Sequence, residues 1–130
     1  MNAKQLLTLC AASLATLLCR GALAQEVSVN YVQVAEIEID PAQLESYEAA
    51  VKEHIDTAIR VEPGVLVLYA VSEKDNPTRV RVFEVYASTD AYKAHLEAPH
   101  FKKYKTVTEK MVRSLRLVQT TPIALAAKPS

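Results

Sequence analysis

The sequence predicts one α+β domain built in the order β-α-β-β-α-β. Three observations carry that prediction. Strand-length runs rich in β-branched residues occur four times, stretches of helical periodicity follow only the first and the third of them, and short turn clusters separate the pieces. The domain is expected to occupy residues 25–130, because residues 1–24 read as a leader.

Lys4 is the only charge among the first five residues, "LLTLCAASLATLLC" (6–19) is an uncharged apolar run, and "ALA" (22–24) is a small-x-small cleavage pattern. Cleavage is expected after Ala24, giving a periplasmic or secreted product. The apolar run is short for a membrane span, which needs roughly 17–25 residues. Leu9 precedes Cys10 and Leu18 precedes Cys19, whereas a lipid-attachment cysteine needs a small residue before it. No membrane contact is expected once the leader is removed.

"VSVNYVQVAEIEID" (27–40) reads as the first strand. Asp40, Pro41 and Gln43 then supply an N-cap, a proline at the first helical position and a capping-box partner. Leu44, Tyr47, Val51, Ile55, Ala58 and Ile59 follow at helical spacing, and "EPG" (62–64) ends the helix. "VLVLYAVS" (65–72) is a second strand, "EKDNPT" (73–78) a turn cluster, and "RVRVFEVYA" (79–87) a third strand. Ser88 or Thr89 caps a helix running to about Glu97. The ring of Pro99 disfavours helical backbone at Ala98, so a further helical piece is expected from about His100 to Arg113. "LRLVQTTPIAL" (115–125) is a last strand and "AAKPS" (126–130) a tail.

This is the ferredoxin-like order, in which helices cover one face of the sheet. Yet both faces of the middle strands are largely apolar. In the third, Val80, Val82, Glu84 and Tyr86 oppose Arg81, Phe83 and Val85; in the second, Leu66, Leu68 and Ala70 oppose Val65, Val67, Tyr69 and Val71. An uncovered apolar face predicts a partner. The simplest one is a second copy packed sheet against sheet, which makes a homodimer and a dimeric α+β barrel.

Several functions are excluded early. Lys4 and Arg20 lie in the leader, so 13 basic groups face 15 acidic ones in residues 25–130, with no long basic run. Nucleic acid is not an expected partner. Both cysteines also lie in the leader, which leaves no thiol for catalysis or metal binding. Gly64 is the only glycine after it, too few for a phosphate-binding loop. His95 and His100 are five apart, about 140° around a continuous helix, and helical metal ligands usually stand four apart. No metal is expected.

"EPGVLVLYAV", "DNPTRVRVFEVYAS" and "AYKAHLEAPHFKKY" occur in an order and at spacings that resemble the antibiotic biosynthesis monooxygenase (ABM) domain, and its quinol monooxygenases in particular. The resemblance runs from about Tyr31 to Thr121. It implies a dimeric α+β barrel with an apolar pocket between sheet and helices. It also implies oxygenation of quinol-like or phenolic aromatic substrates by O₂ without metal, flavin or haem, so no cofactor is expected. Many members carry Trp where this chain has Tyr86. Haem-degrading relatives place an axial histidine near the position of Lys105, and residues 25–130 contain no Trp. Both departures point away from haem degradation.

Such an oxygenase needs a base that makes the substrate an electron-rich anion. His95, on a helix face of small and apolar groups, is the expected base, and Glu84, in an apolar strand, is the second catalytic candidate. Glu84 would orient a histidine or a substrate hydroxyl, or pair with Arg79, Arg81 or Arg116 across the dimer. Tyr86, His100, Tyr31, Tyr69 and Asn30 are the expected pocket residues. His54, at the margin of the first helix's apolar stripe, reads as structural or exposed. The alternative reading is a non-catalytic dimeric barrel that binds a small apolar molecule.

Overall fold

The computed structural model describes residues 29–130. The expected leader and the first residues of the expected opening strand therefore lie outside the described residues. The elements are β1 (Tyr31–Ile39), a 3₁₀ turn (Pro41–Gln43), α1 (Leu44–Val61), β2 (Val65–Glu73), β3 (Asn76–Tyr86), α2 (Thr89–Glu97), α3 (Pro99–Thr108) and β4 (Val112–Thr120). The four strands form one antiparallel sheet in the order β2-β3-β1-β4. The ferredoxin-like α+β expectation holds, with its second helix divided in two.

Strand alternation decides what each face carries. Ala35, Ile37 and Ile39 of β1 and Val80 and Val82 of β3 point toward the helices. There they pack on Tyr47 and Val51 of α1. Ile39, Tyr47 and Tyr86 are fully buried. A second cluster joins Ala58, Val65, Leu68 and Tyr86. The other face carries Glu36, Glu38, Arg79 and Arg81 toward one end, tied by Glu36–Arg81, Glu36–Arg116 and Glu38–Arg79 ion pairs. Phe83 and Tyr69 pair across β3 and β2 on that face and are 45% and 63% exposed.

Four local expectations change. The first is β2, where strict alternation put Val65 with Val67. Val65 pairs with Tyr86 and Val67 with Val85, so Leu66 is an extra residue in a bulge, and Val65 joins Leu68 on the buried face. The second is the 73–78 turn. Glu73 pairs with Asn76, which leaves Lys74 and Asp75 as the loop and places Pro77 in the irregular stretch of the ladder, where a missing N–H does least harm. The third is the first helix, in its capping box and its apolar stripe. Asp40 Oδ1 accepts from Ala42 N at 3.0 Å, but Gln43 makes no side-chain cap, and the first turn is 3₁₀. Ile59, placed on the apolar stripe, is 47% exposed.

The fourth change is the end of the chain. α3 stops at Thr108, not near Arg113, and β4 spans Val112–Thr120 rather than 115–125. Thr108 Oγ1 donates to Tyr104 O, and Met111 N donates to Thr108 O in a closing turn. Met111 O then accepts from Asp40 N, which pins the turn beside the start of α1. The apolar period of α3 continues into Met111, so sequence spacing alone overran the turn.

Candidate active site

Between the inner sheet face and the helices lies a cavity with about 90 Å³ open to the centre of a water molecule. Its walls are mostly apolar; Leu68, Val82 and Phe101 form part of them, and Leu115 and Leu117 of β4 stand at its exposed side. Two carboxylates organise the polar groups around it, one on the sheet and one on the helices.

The sheet-side group is Glu84. Register puts Gln33 of β1 opposite it. Gln33 Nε2 donates to Glu84 Oε2 at 2.7 Å, and Tyr86, two residues along the same face, donates to the same oxygen at 2.8 Å. Tyr31 extends the chain by donating to Gln33 Oε1 at 3.2 Å. Burial pushes the Glu84 carboxyl above its usual range. The hydrogen bonds from Gln33 and Tyr86, with His95 nearby, offset part of that rise. The Tyr86 hydroxyl is also pushed up, by burial first and by Glu84 second.

The helix-side group is Glu62, the residue that ends α1. Its peptide N–H still bonds to Ala58 O, and its carbonyl accepts from Val65 N across the "EPG" turn. Gly64 lets this turn press against α2, since a Cβ there would stand 2.6 Å from that of Ala91. α2 is held at its start by Ser88 Oγ, which accepts from Ala91 N at 3.0 Å. The chain turns extended at Ala98, and α3 begins at Pro99. That break brings His95 and His100 to one acceptor: His95 Nδ1 lies 2.7 Å and His100 Nε2 2.6 Å from Glu62 Oε2. His54 sits against both rings and stacks on Tyr104 at 4.7 Å. Burial, with His95 and His100 adding to it, pushes the His54 imidazole down to about 4.

The expected residues are distributed as follows. His95, Glu84 and Tyr86 line the cavity together. Tyr31 stands at its margin, stacked on Tyr92 at 4.3 Å. His100 lies behind His95 rather than on the cavity wall. Asn30 precedes β1 and is not a wall residue, and Tyr69 is 63% exposed on the opposite sheet face. Glu84 faces away from Arg79, Arg81 and Arg116, which pair with Glu36, Glu38 and Glu73. The carboxylate that holds a histidine is Glu62, not Glu84. Sequence reasoning missed Glu62 and Gln33; of the two readings it left open for His54, structural or exposed, the buried position fits the structural one.

Glu62, His95 and His100 offer ligand atoms within 4.8 Å of one another, a two-histidine, one-carboxylate set. The 140° spacing argument fails here, because the two histidines stand on separate helices. Their separations from Glu62, however, are those of charge-assisted hydrogen bonds. Ligands bound about 2.0–2.2 Å from one metal ion stand roughly 3 Å or more apart.

An antiparallel ferredoxin-like sheet with an apolar cavity under its helices, walled by a carboxylate and an imidazole, defines a class of small α+β proteins with a cavity between sheet and helices. Within that class the chain belongs to the antibiotic biosynthesis monooxygenase family, whose model matches residues 30–107. A solved protein from Bacteroides thetaiotaomicron, named as a candidate antibiotic biosynthesis monooxygenase, is 49% identical over 78% of this chain and 97% of its own, with a TM-score of 0.75. A candidate monooxygenase from Lactobacillus acidophilus is 30% identical over 71% of this chain but only 44% of its own length, with a TM-score of 0.69. A Caulobacter crescentus structure shares the fold at 22% identity over 75% of this chain and 93% of its own, with a TM-score of 0.71. No curated protein matches the chain.

Proposed function

We propose that the chain is a cofactor-independent monooxygenase of quinol-like or phenolic aromatic substrates, acting as a homodimer in the periplasm or outside the cell. The observation that carries this reading is the meeting of His95 and Glu84 in one apolar cavity. A phenol ring fits against the apolar walls, and its hydroxyl falls between an imidazole and a carboxyl. His95 takes the hydroxyl proton. The phenolate passes an electron to O₂, the two radicals join as a ring peroxide, and loss of water leaves a quinone. Phenol plus O₂ equals quinone plus water, so the substrate supplies every electron. Apolar walls favour electron transfer to O₂ from a poorly hydrated anion.

The dimer is supported by the uncovered sheet face, where Phe83, Tyr69 and Val71 are each 45% exposed or more. The leader pattern supports export. An oxygen electrode with a panel of phenols and quinols tests the chemistry. The expected result is one quinone formed per O₂ consumed, without added reductant. Saturable binding of these aromatics with no oxygen uptake would replace the enzyme by the small-molecule carrier, a reading that the largely apolar cavity also favours. Light scattering should give twice the chain mass, and Phe83→Asp should give one.

A further inference from the structure

We propose that Glu62 is the positioning residue of this site: one carboxylate oxygen takes an N–H from His95 and another from His100, fixes the tautomers of both rings, and leaves the Nε2 lone pair of His95 for the cavity. This rests on the reading of His95 as the base. A carboxylate oxygen only accepts. Contacts of 2.7 and 2.6 Å therefore place the hydrogens on Nδ1 of His95 and on Nε2 of His100. A neutral His95 then has its lone pair on Nε2. Among the described residues that atom makes no hydrogen bond, yet it is not a buried atom left without a partner, which there is the case of His54 Nδ1 alone. His95 Nε2 thus keeps access to the cavity that its ring lines.

The other groups facing the pair fit this assignment. His54 of α1 touches both rings and stays neutral at ordinary pH. Tyr86 of β3 and Phe101 of α3 pack tilted on His95, with Glu84 of β3 and Tyr104 of α3 close by and Tyr92 of α2 against Tyr86. None of them donates to Glu62. His100 lies off the cavity wall, and its N–H is the second tether that stops the carboxylate rotating away from His95.

The test uses the full chain as purified, with ¹⁵N-labelled histidine. Two-bond ¹⁵N–¹H spectra at about pH 8, above the usual imidazole titration, should show His95 protonated on Nδ1 and His100 on Nε2. Leucine keeps the bulk but offers neither ring an acceptor, so Glu62→Leu should release at least one tautomer. It should also lower kcat about 10–100-fold with KM changed less than about threefold. Glu62→Asp, which keeps the carboxylate, should restore the wild-type tautomers and part of kcat. A wild-type His95 protonated on Nε2 overturns the proposal, whatever the variants do. So does Glu62→Leu with both tautomers and kcat unchanged. One equivalent of Zn²⁺ or Fe²⁺ retained through dialysis, with both imidazole signals moved, would make the cluster a metal site and overturn it as well. The spectra need no turnover: expected tautomers in a chain that consumes no oxygen refute the oxygenase reading and leave the positioning intact.

Discussion

The two carboxylates beside the cavity are the same chemical group in two different settings. Glu84 stands on a strand and is bonded by an amide and a phenol, neither of which becomes charged near neutral pH. Glu62 stands where a helix ends and is bonded by two imidazoles, which can. The sheet side can fix a hydroxyl in place but has no ready way to accept charge. The helix side can take a proton. A carboxylate's partners, more than its burial, decide whether it positions a substrate or supports a base.

The largest expected effect breaks the helix side. His95→Ala should lower turnover by about 10²–10⁴-fold, measured by oxygen uptake, with the oligomeric state unchanged in light scattering. Wild-type turnover in a folded variant would transfer the base to the sheet side.

Titration of stability separates the two sides by sign. His54 has its folded value lowered to about 4 from 6.5, so the unfolded chain binds more protons between those values. Stability is full above 6.5 and is lost as pH falls toward 4, by about 3 kcal/mol. Denaturant melts of His54→Phe should lack that loss. Glu84 has its folded value raised from 4.5. There the folded chain binds the extra proton, so stability falls as pH rises above 4.5. Glu84→Gln should flatten that fall, leave the variant at least as stable as the parent at neutral pH, and raise KM a few-fold by weakening the hold on the substrate hydroxyl. The smallest effect concerns the helix that carries His95. Ser88→Ala removes the cap of α2 and should lower stability by about 1 kcal/mol, seen in the melt, with turnover nearly unchanged.

The same contrast explains what the sequence made legible. Element order followed from periodicity, and His95 and Glu84 could be picked out because each is a polar group set among apolar neighbours in one element. Gln33 was hidden because its role depends on the β1–β3 register, which brings it opposite Glu84 from 51 positions away. Glu62 was hidden more deeply. It looks like a helix-end residue, its partner His95 is 33 positions distant, and only the break at Ala98 brings His100 to it as well. Tyr69 and Val65 were misplaced for a geometric reason: which face of β2 is buried depends on pairing with β3, and the bulge at Leu66 resets the parity. The boundary of α3 was lost because Met111 continues its apolar period beyond the turn that Thr108 closes.

Gly64 and Ala91 are chemically inert, yet their near-contact works as a gauge block in this molecule. Glu62 lies two residues before Gly64, and His95 lies one helical turn after Ala91, so the clearance between two of the smallest side chains sets the spacing between carboxylate and imidazole. A hydrogen bond tolerates a few tenths of an ångström, whereas a methyl group added at that clearance shifts the backbone by more. The tolerance of the carboxylate–imidazole pair is therefore written at two positions whose side chains have no proton to give.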